Sequence, residues 1–214
     1  MKRESYIGDN FAESIIEEIR SDTKLKAVDW PSIRAALLVV DMQDYFVREG
    51  AHSFLPSAPA IVDPINELIT ASQIAGLPVV LTQHINSEGD ACMMKNWWGD
   101  YISEQDSESS IAACIQSRDA AIFRKTQYDA FFLTGLDEYL RERSIDTLII
   151  CGLVCHLCIE TTARSAFVRG YRIIVAADAV CDYNRRVHAN TLISLAHGFA
   201  HVATSQEITK GISK

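Results

Sequence analysis

Six short apolar runs, separated by segments with helical spacing or by one long polar excursion, constrain this chain more than anything else in it. They are Ala36 to Asp41 (ALLVVD), Pro78 to Gln83, Ala120 to Lys125, Thr147 to Cys151, Arg172 to Ala176 and Ala200 to Ala203. Most lack polar alternation, as strands covered on both faces do. Between them, residues 60–75 carry Ile61, Ile65, Leu68, Ile69 and Ile74 at helical spacing and stop at Gly76-Leu77-Pro78. Thr134-Gly-Leu-Asp137 reads as a capping box for a helix running to Arg143. Further helices are expected from about Cys155 to Gly170, over 185–197 and over 12–20. Strands alternating with helices predict a three-layer α/β/α domain with a six-stranded parallel sheet. It is expected to span 1–214 as one domain, with residues 1–30 as a helical extension packed on its outside or on a neighbouring subunit.

A chain of 214 residues, 48% apolar and 22% charged, can bury a full core unaided. Lys and Arg number 20 against 28 Asp and Glu, a net charge of −8, so no basic surface is set aside for nucleic acid or anionic lipid. The cleanest apolar run, Ala35 to Val40, is too short to span a bilayer, and the first 20 residues have no apolar segment of a signal peptide. A soluble, cytoplasmic protein is expected. Six unevenly spaced cysteines suit reduced thiols better than a disulfide framework, with Cys92, Cys114, Cys151 and Cys181 as small packed apolar residues.

Ligands of open parallel sheets sit beyond the carboxyl ends of the strands, and three reactive groups fall there. Asp41 closes the first run, Lys125 closes the third, and Cys151, Cys155 and Cys158 follow the fourth. A charge at a strand end usually marks where the chain meets water, so it is the set that matters. Cys155 and Cys158 form a C-x-x-C, yet the last proline is Pro78, which leaves a thioredoxin-like site without its usual facing proline. Zinc would want two more close ligands, and only the His197 and His201 pair stands as a candidate. A nucleophile at a helix N-terminus fits better: free amides and the dipole favour thiolate, and the same amides can hold an oxyanion. Spacing alone does not choose between the two cysteines. Residues 86–118, rich in Ser, Asp and Glu around Trp97, Trp98 and Gly99, read as a long excursion of the kind that forms lids.

The segments LLVVDMQDYF (37–46), PVVLTQ (78–83), FRKTQYDAF (123–131), GLVCHLCIETTARSAF (152–167) and HANTLISLAHGFAHVATSQEI (188–208) together resemble the isochorismatase-like cysteine hydrolases, which include nicotinamidases, N-carbamoylsarcosine amidohydrolases and ureidoacrylate-type amidohydrolases. The resemblance implies a Rossmann-like sheet, Asp41 and Lys125 as catalytic acid–base and cationic partner, and Cys158 as nucleophile. It leaves Cys155 as a packed neighbour. It also implies a non-proline cis peptide at Leu153-Val154, an oxyanion hole from the amides of Val154 and Cys158, no cofactor, and a homodimer or homotetramer.

Departures from the pattern narrow the reading. Nicotinamidases of the metal-dependent kind carry D-x-H after the second strand, where this chain has Gln83-His84-Ile85-Asn86 and no further histidine before His156; His84 is therefore expected to line a pocket or core and no metal is expected. True isochorismatases resemble the chain at His156 and at NWWGDY (96–101) but carry glycine at the position of Cys158, so a small amide or carbamoyl compound is favoured over a vinyl ether. A non-catalytic thiol module is the third alternative. Phe46, Trp97, Trp98, Tyr128, Phe132 and His156 are the residues expected around the substrate, with Arg48 or Arg124 as possible partners of a substrate carboxylate.

Overall fold

Strand β1 (Ala35–Val40) lies inside a six-stranded sheet, paired in parallel with β2 (Val79–His84) on one side and β4 (Thr147–Gly152) on the other. β3 (Ala121–Lys125) forms one edge beside β2, while β5 (Arg172–Val180) and then β6 (Ala200–Ala203) complete the other, giving the order β3-β2-β1-β4-β5-β6 with every pair parallel. The computed structural model describes residues 1–30, 34–116 and 118–213. Five of the six strands lie within a residue of the expected runs. β5 continues to Val180, four residues past Ala176.

All six residues of β1 are buried, and alternate ones serve opposite faces, because successive side chains of a strand point opposite ways. Ala36, Leu38 and Val40 pack with residues of α1 (Phe11–Asp22), α5 (Leu136–Glu142), α6 (Glu160–Val168) and α7 (Arg185–Gly198). Ala35, Leu37 and Val39 pack with α3 (Val62–Ile74) and α8 (Ser205–Ile212). Three layers result, and each buried Leu or Ile between them contributes roughly 1.5–3 kcal/mol.

α1 lies against α7 and β5, with Phe11, Ile15, Ile16 and Ile19 buried. Other expectations need correction. Thr134 forms no capping box: Gly135 is the N-cap of α5, while the Thr134 hydroxyl donates to Ala130 O at 2.6 Å and its oxygen accepts from Leu136 N–H at 3.3 Å. The box belongs to α8, where Thr204 accepts from Glu207 N–H and the Glu207 carboxylate accepts from Thr204 N–H. All six cysteines are free, but Cys92 and Cys114 are exposed rather than packed, because both lie in the polar excursion instead of the layers. Among the described residues no helix is long and apolar enough to cross a membrane.

His84 and His188 are buried in this frame as neutral rings, burial being the first cause of a pKa pushed down to about 4 in each; the Lys125 charge adds to it at His84. His188 Nε2–H donates to Ala177 O at 3.1 Å and Nδ1 accepts from the Tyr6 hydroxyl at 2.8 Å. Because the folded pKa lies below the unfolded value of roughly 6.5, the unfolded chain binds more protons between the two. Stability is therefore expected to fall as pH drops from about 6.5 towards 4, which denaturant midpoints at pH 7.5 and pH 5 would register; equal midpoints would contradict it.

Candidate active site

The carboxyl ends of β1, β3 and β4 bring together Asp41, Lys125 and Cys158, beyond the sheet and next to the point where strand order reverses. Asp41 is the first residue past β1 and has φ 51°, a left-handed conformation that Asp tolerates better than most side chains. Gly152 ends β4 with φ +109°, and a Cβ there would meet the main chain of Val40, 2.7 Å from its nitrogen. Only glycine allows β4 to pass β1 this closely. The chain then turns through a cis peptide at Leu153-Val154 into a π-helical turn, Cys155–Ile159, that continues as α6. Single π turns are frequent at functional sites.

The side chain of Lys125, fully buried, is the hub. Its Nζ lies 2.8 Å from Asp41 Oδ2, 2.8 Å from Gln127 O, 3.3 Å from Cys158 Sγ and 3.4 Å from His84 Nδ1. An ammonium has three hydrogens, so Asp41 and Gln127 hold two and the third is shared between sulfur and imidazole. His84 Nε2 meets Asn86 Oδ1 at 2.9 Å and must carry the ring proton, which leaves Nδ1 as acceptor towards Lys125. That tautomer agrees with the neutral ring.

Burial opposes charge on all three groups, and the partners decide the outcome. At Lys125 burial disfavours the ammonium, but the Asp41 carboxylate outweighs it and raises the pKa. At Asp41 burial disfavours the carboxylate, but Lys125, His84 and the Thr82 hydroxyl together lower the pKa. At Cys158 burial prevails: Lys125 favours thiolate, Asp41 opposes it, and the thiol is pushed up to about 12. The dipole-stabilised thiolate expected from sequence is thus replaced by a thiol at rest. Cys158 is the fourth residue of the π turn, buried but for its face on the cavity, and the cation beside it already serves Asp41.

Thr82 on β2 fixes Asp41 from both sides: Asp41 N–H donates to Thr82 Oγ1 at 3.1 Å, and the Thr82 hydroxyl donates to Asp41 Oδ1 at 2.6 Å. A Thr82→Val protein is expected to lose about 1–2 kcal/mol of stability and roughly tenfold in kcat/KM. Because the lost bond favours the charged carboxylate, the acid limb of its pH–rate profile should move to higher pH. An unmoved limb would reduce Thr82 to a packing role.

One nitrogen, oxygen or sulfur atom from each of Asp41, His84 and Cys158 lies within 4.8 Å of the others, which makes these the residues that could hold a metal. The Lys125 ammonium stands among the same donors, and a divalent ion would have to displace it from full burial. His84 lines the cavity, as expected for a pocket histidine. His201 is elsewhere engaged, with Nδ1 at 3.0 Å from Lys26 O.

Above the cluster is a cavity of about 240 Å³. Cys158 and Val154 line it, as do Phe46, Trp98 and Tyr128, with Trp98 Nε1–H donating to the Tyr128 hydroxyl at 2.7 Å. Trp97 and His156 do not. Trp97 is 76% exposed, since its neighbour Trp98 takes the inward side of the helix α4 (Cys92–Trp98). His156 is drawn to the buried Asp182, with Nδ1 2.8 Å from the carboxylate and the backbone N–H also 2.8 Å from it. Phe132 is exposed, and Arg48 and Arg124 pair with Glu108 and Glu104.

The excursion roofs this space. Met94, Trp98, Asp100, Tyr101 and Ile102 reach the cavity from it, and Gln43 pins it down: its Nε2 donates to Ser109 O at 2.7 Å and to His84 O at 3.0 Å. Gln43 lies in the VVDMQ stretch but had drawn no role from sequence. Tyr45, His52, Tyr183 and Arg3 also line the cavity; of these only Tyr45, beside Phe46, had a local signal. Within the π turn, Cys155 N–H bonds Cys181 O at 2.9 Å, while Leu157 and Ile159 N–H bond Val154 O at 3.1 and 3.3 Å. Cys155 itself is buried in the core, as expected of a packed neighbour.

Comparison with known proteins identifies relatives of the chain. The family model described as the isochorismatase domain matches residues 35–207. Nicotinamidase 3 of Arabidopsis thaliana is 33% identical over 183 residues, covering 83% of this chain and 88% of that protein. The crystal structure of a cysteine hydrolase from Pseudomonas syringae pv. phaseolicola superposes with a TM-score of 0.83 at 28% identity, covering 90% of this chain and 98% of the other. N-carbamoylsarcosine amidase from Thermoplasma acidophilum gives 0.73 at 30% identity, over 81% and 97%. With its match over 35–207 and a buried thiol, carboxylate and ammonium beneath one cavity, the chain belongs to the isochorismatase family and is one of its cysteine hydrolases.

Proposed function

We propose that the protein hydrolyses the C–N bond of a small amide or carbamoyl compound through a thioester on Cys158. The observation that carries this is the Lys125 ammonium, 2.8 Å from Asp41 Oδ2 and 3.3 Å from Cys158 Sγ, below a closed-in cavity. One cation can steady whichever of the two groups is negative, so a proton can pass from sulfur to carboxylate without leaving a bare buried charge.

Asp41 takes the thiol proton as sulfur attacks the carbonyl carbon, and the oxygen that becomes negative is met by the amides of Val154 and Cys158. The tetrahedral adduct collapses as Asp41 returns the proton to nitrogen, so that ammonia or an amine leaves and a thioester remains. Water then gives a proton to Asp41 and attacks the thioester; the acid departs and sulfur regains its proton. Lys125 stays charged throughout. Two of the relatives are named as a nicotinamidase and an N-carbamoylsarcosine amidase, which supports the amide class. His156, on which a vinyl-ether reading leaned, is bound to Asp182 outside the cavity lining.

The same reading extends to a cytoplasmic homodimer or homotetramer, for which exposed Ile122 on the edge strand and Phe167 and Val168 at the end of α6 offer apolar surface to bury. The test is an ammonia-release screen over small amides, carbamoyl compounds and isochorismate, with peptide mass spectrometry of quenched reactions. An acyl mass on the Cys158 peptide is expected; full turnover after alkylation of Cys158 would overturn the mechanism.

A further inference from the structure

Arg3 is the only Lys or Arg side chain among the described residues lining the cavity, and it comes from a part of the chain well before the 35–207 match. Its position is built, not incidental. Glu4 N–H donates to Tyr183 O at 2.7 Å and Asn184 Nδ2 to Lys2 O at 3.3 Å, tying the tail to the segment after β5. Tyr6 N–H donates to Ser57 Oγ at 3.0 Å, and the Ser57 hydroxyl to Glu4 O at 3.1 Å, tying it to the segment after α2 (Asp44–Val47). The tail is thus a strap across two walls of the cavity, with Arg3 between its ties.

There the guanidinium lies over the Tyr183 ring, 5.5 Å from its centroid, and Nη1 donates to Phe54 O at 3.3 Å and His52 O at 3.5 Å. Among the described residues, Nη2 and Nε make no hydrogen bond and no carboxylate pairs with Arg3. These two nitrogens form the edge of a guanidinium that takes a carboxylate bidentately. Asp100, the one acid lining the cavity among the described residues, faces His52 instead, 3.9 Å from its Nε2.

We infer that Arg3 is the specificity-determining residue of this cavity, and that the substrate is a small amide or carbamoyl compound bearing a carboxylate at the end away from the scissile carbonyl. The inference rests on Cys158 being the nucleophile. Carboxylate recognition is then a property of the N-terminal strap, and the Asp–Lys–Cys cluster supplies only the chemistry.

Matched alkylating probes test this without a known substrate. Iodoacetate and 3-bromopropionate are compared with iodoacetamide and 3-bromopropionamide, and labelling of the Cys158 peptide is timed by mass spectrometry, separately from exposed Cys92 and Cys114. The wild type is expected to favour the acids over the amides. Arg3→Gln should reduce that preference roughly ten- to hundredfold, as loss of a charged hydrogen-bonded pair does, with amide labelling unchanged and Arg3→Lys falling between. Lys2→Gln removes a neighbouring charge paired with Glu4 and should behave as wild type. An unaltered preference in Arg3→Gln, an equal effect from Lys2→Gln, or acid and amide labelling falling together would each overturn the role of Arg3. A Cys158 that none of the four reagents reaches would sink the nucleophile assignment itself, and the inference with it.

Discussion

Alanine at position 158 is expected to reduce amide turnover by roughly 10⁴-fold or more, asparagine at position 41 by a similar factor, and the two together by no more than the worse of them. The reason is the shared proton. With the thiol held up to about 12 and the carboxylate held low, sulfur becomes nucleophilic only as Asp41 accepts its proton, and a carboxamide at position 41 cannot accept. Once either group is gone the other has no function left to lose. Ammonia-release kinetics on a substrate found by screening measure all three proteins. Effects that multiply in the double variant would show two independent contributions and defeat the proton-transfer scheme.

Methionine in place of Lys125 should destabilise the fold by about 3–5 kcal/mol in addition to abolishing activity, because it strands the Asp41 carboxylate in full burial. Asp41 would then lose the neighbour that lowers its pKa and would take up a proton on folding. The variant's stability should therefore fall less on mild acidification than that of the wild type, which has no such proton uptake to offset its buried histidines. Pairing Lys125→Met with Asp41→Leu should recover most of the loss, since no charge is left unmatched. Denaturation at several pH values separates these outcomes. A Lys125→Met protein as stable as wild type would mean that the ion pair contributes little beyond chemistry.

The sheet and the cluster were legible in sequence for one reason: residues doubly buried in β1, β2 and β4 have to be apolar, and the polar residues at their ends stand out against that background. Asp41, Lys125 and Cys158 were visible as strand-end residues and through the family resemblance, and the structure brings them into contact. Helix α8 is announced by the capping pattern Thr204-Ser-Gln-Glu207, whereas at the similar pattern of Thr134 the hydroxyl donates to Ala130 O and its oxygen accepts from Leu136 N–H. α4 carries no buried residue, so it has no apolar stripe by which to be recognised. Which of Trp97 and Trp98 faces inward depends on a half-turn of that helix. Arg3, His52 and Tyr183 reach the cavity through contacts between distant parts of the chain, and no local pattern encodes those.

The tail's tethers also set an order of assembly. Tyr6 receives the amide of Asp182 and donates to the ring of His188, partners 176 and 182 positions later, and Glu4 is held by Tyr183. A polypeptide emerges from the ribosome N-terminus first, at roughly 5–20 residues per second. The ties to Ser57, Phe54 and His52 can form early, but those to Asp182, Tyr183 and His188 must wait until almost everything else has been synthesised, so the hydrolase gains its finished wall as one of the last events of its birth.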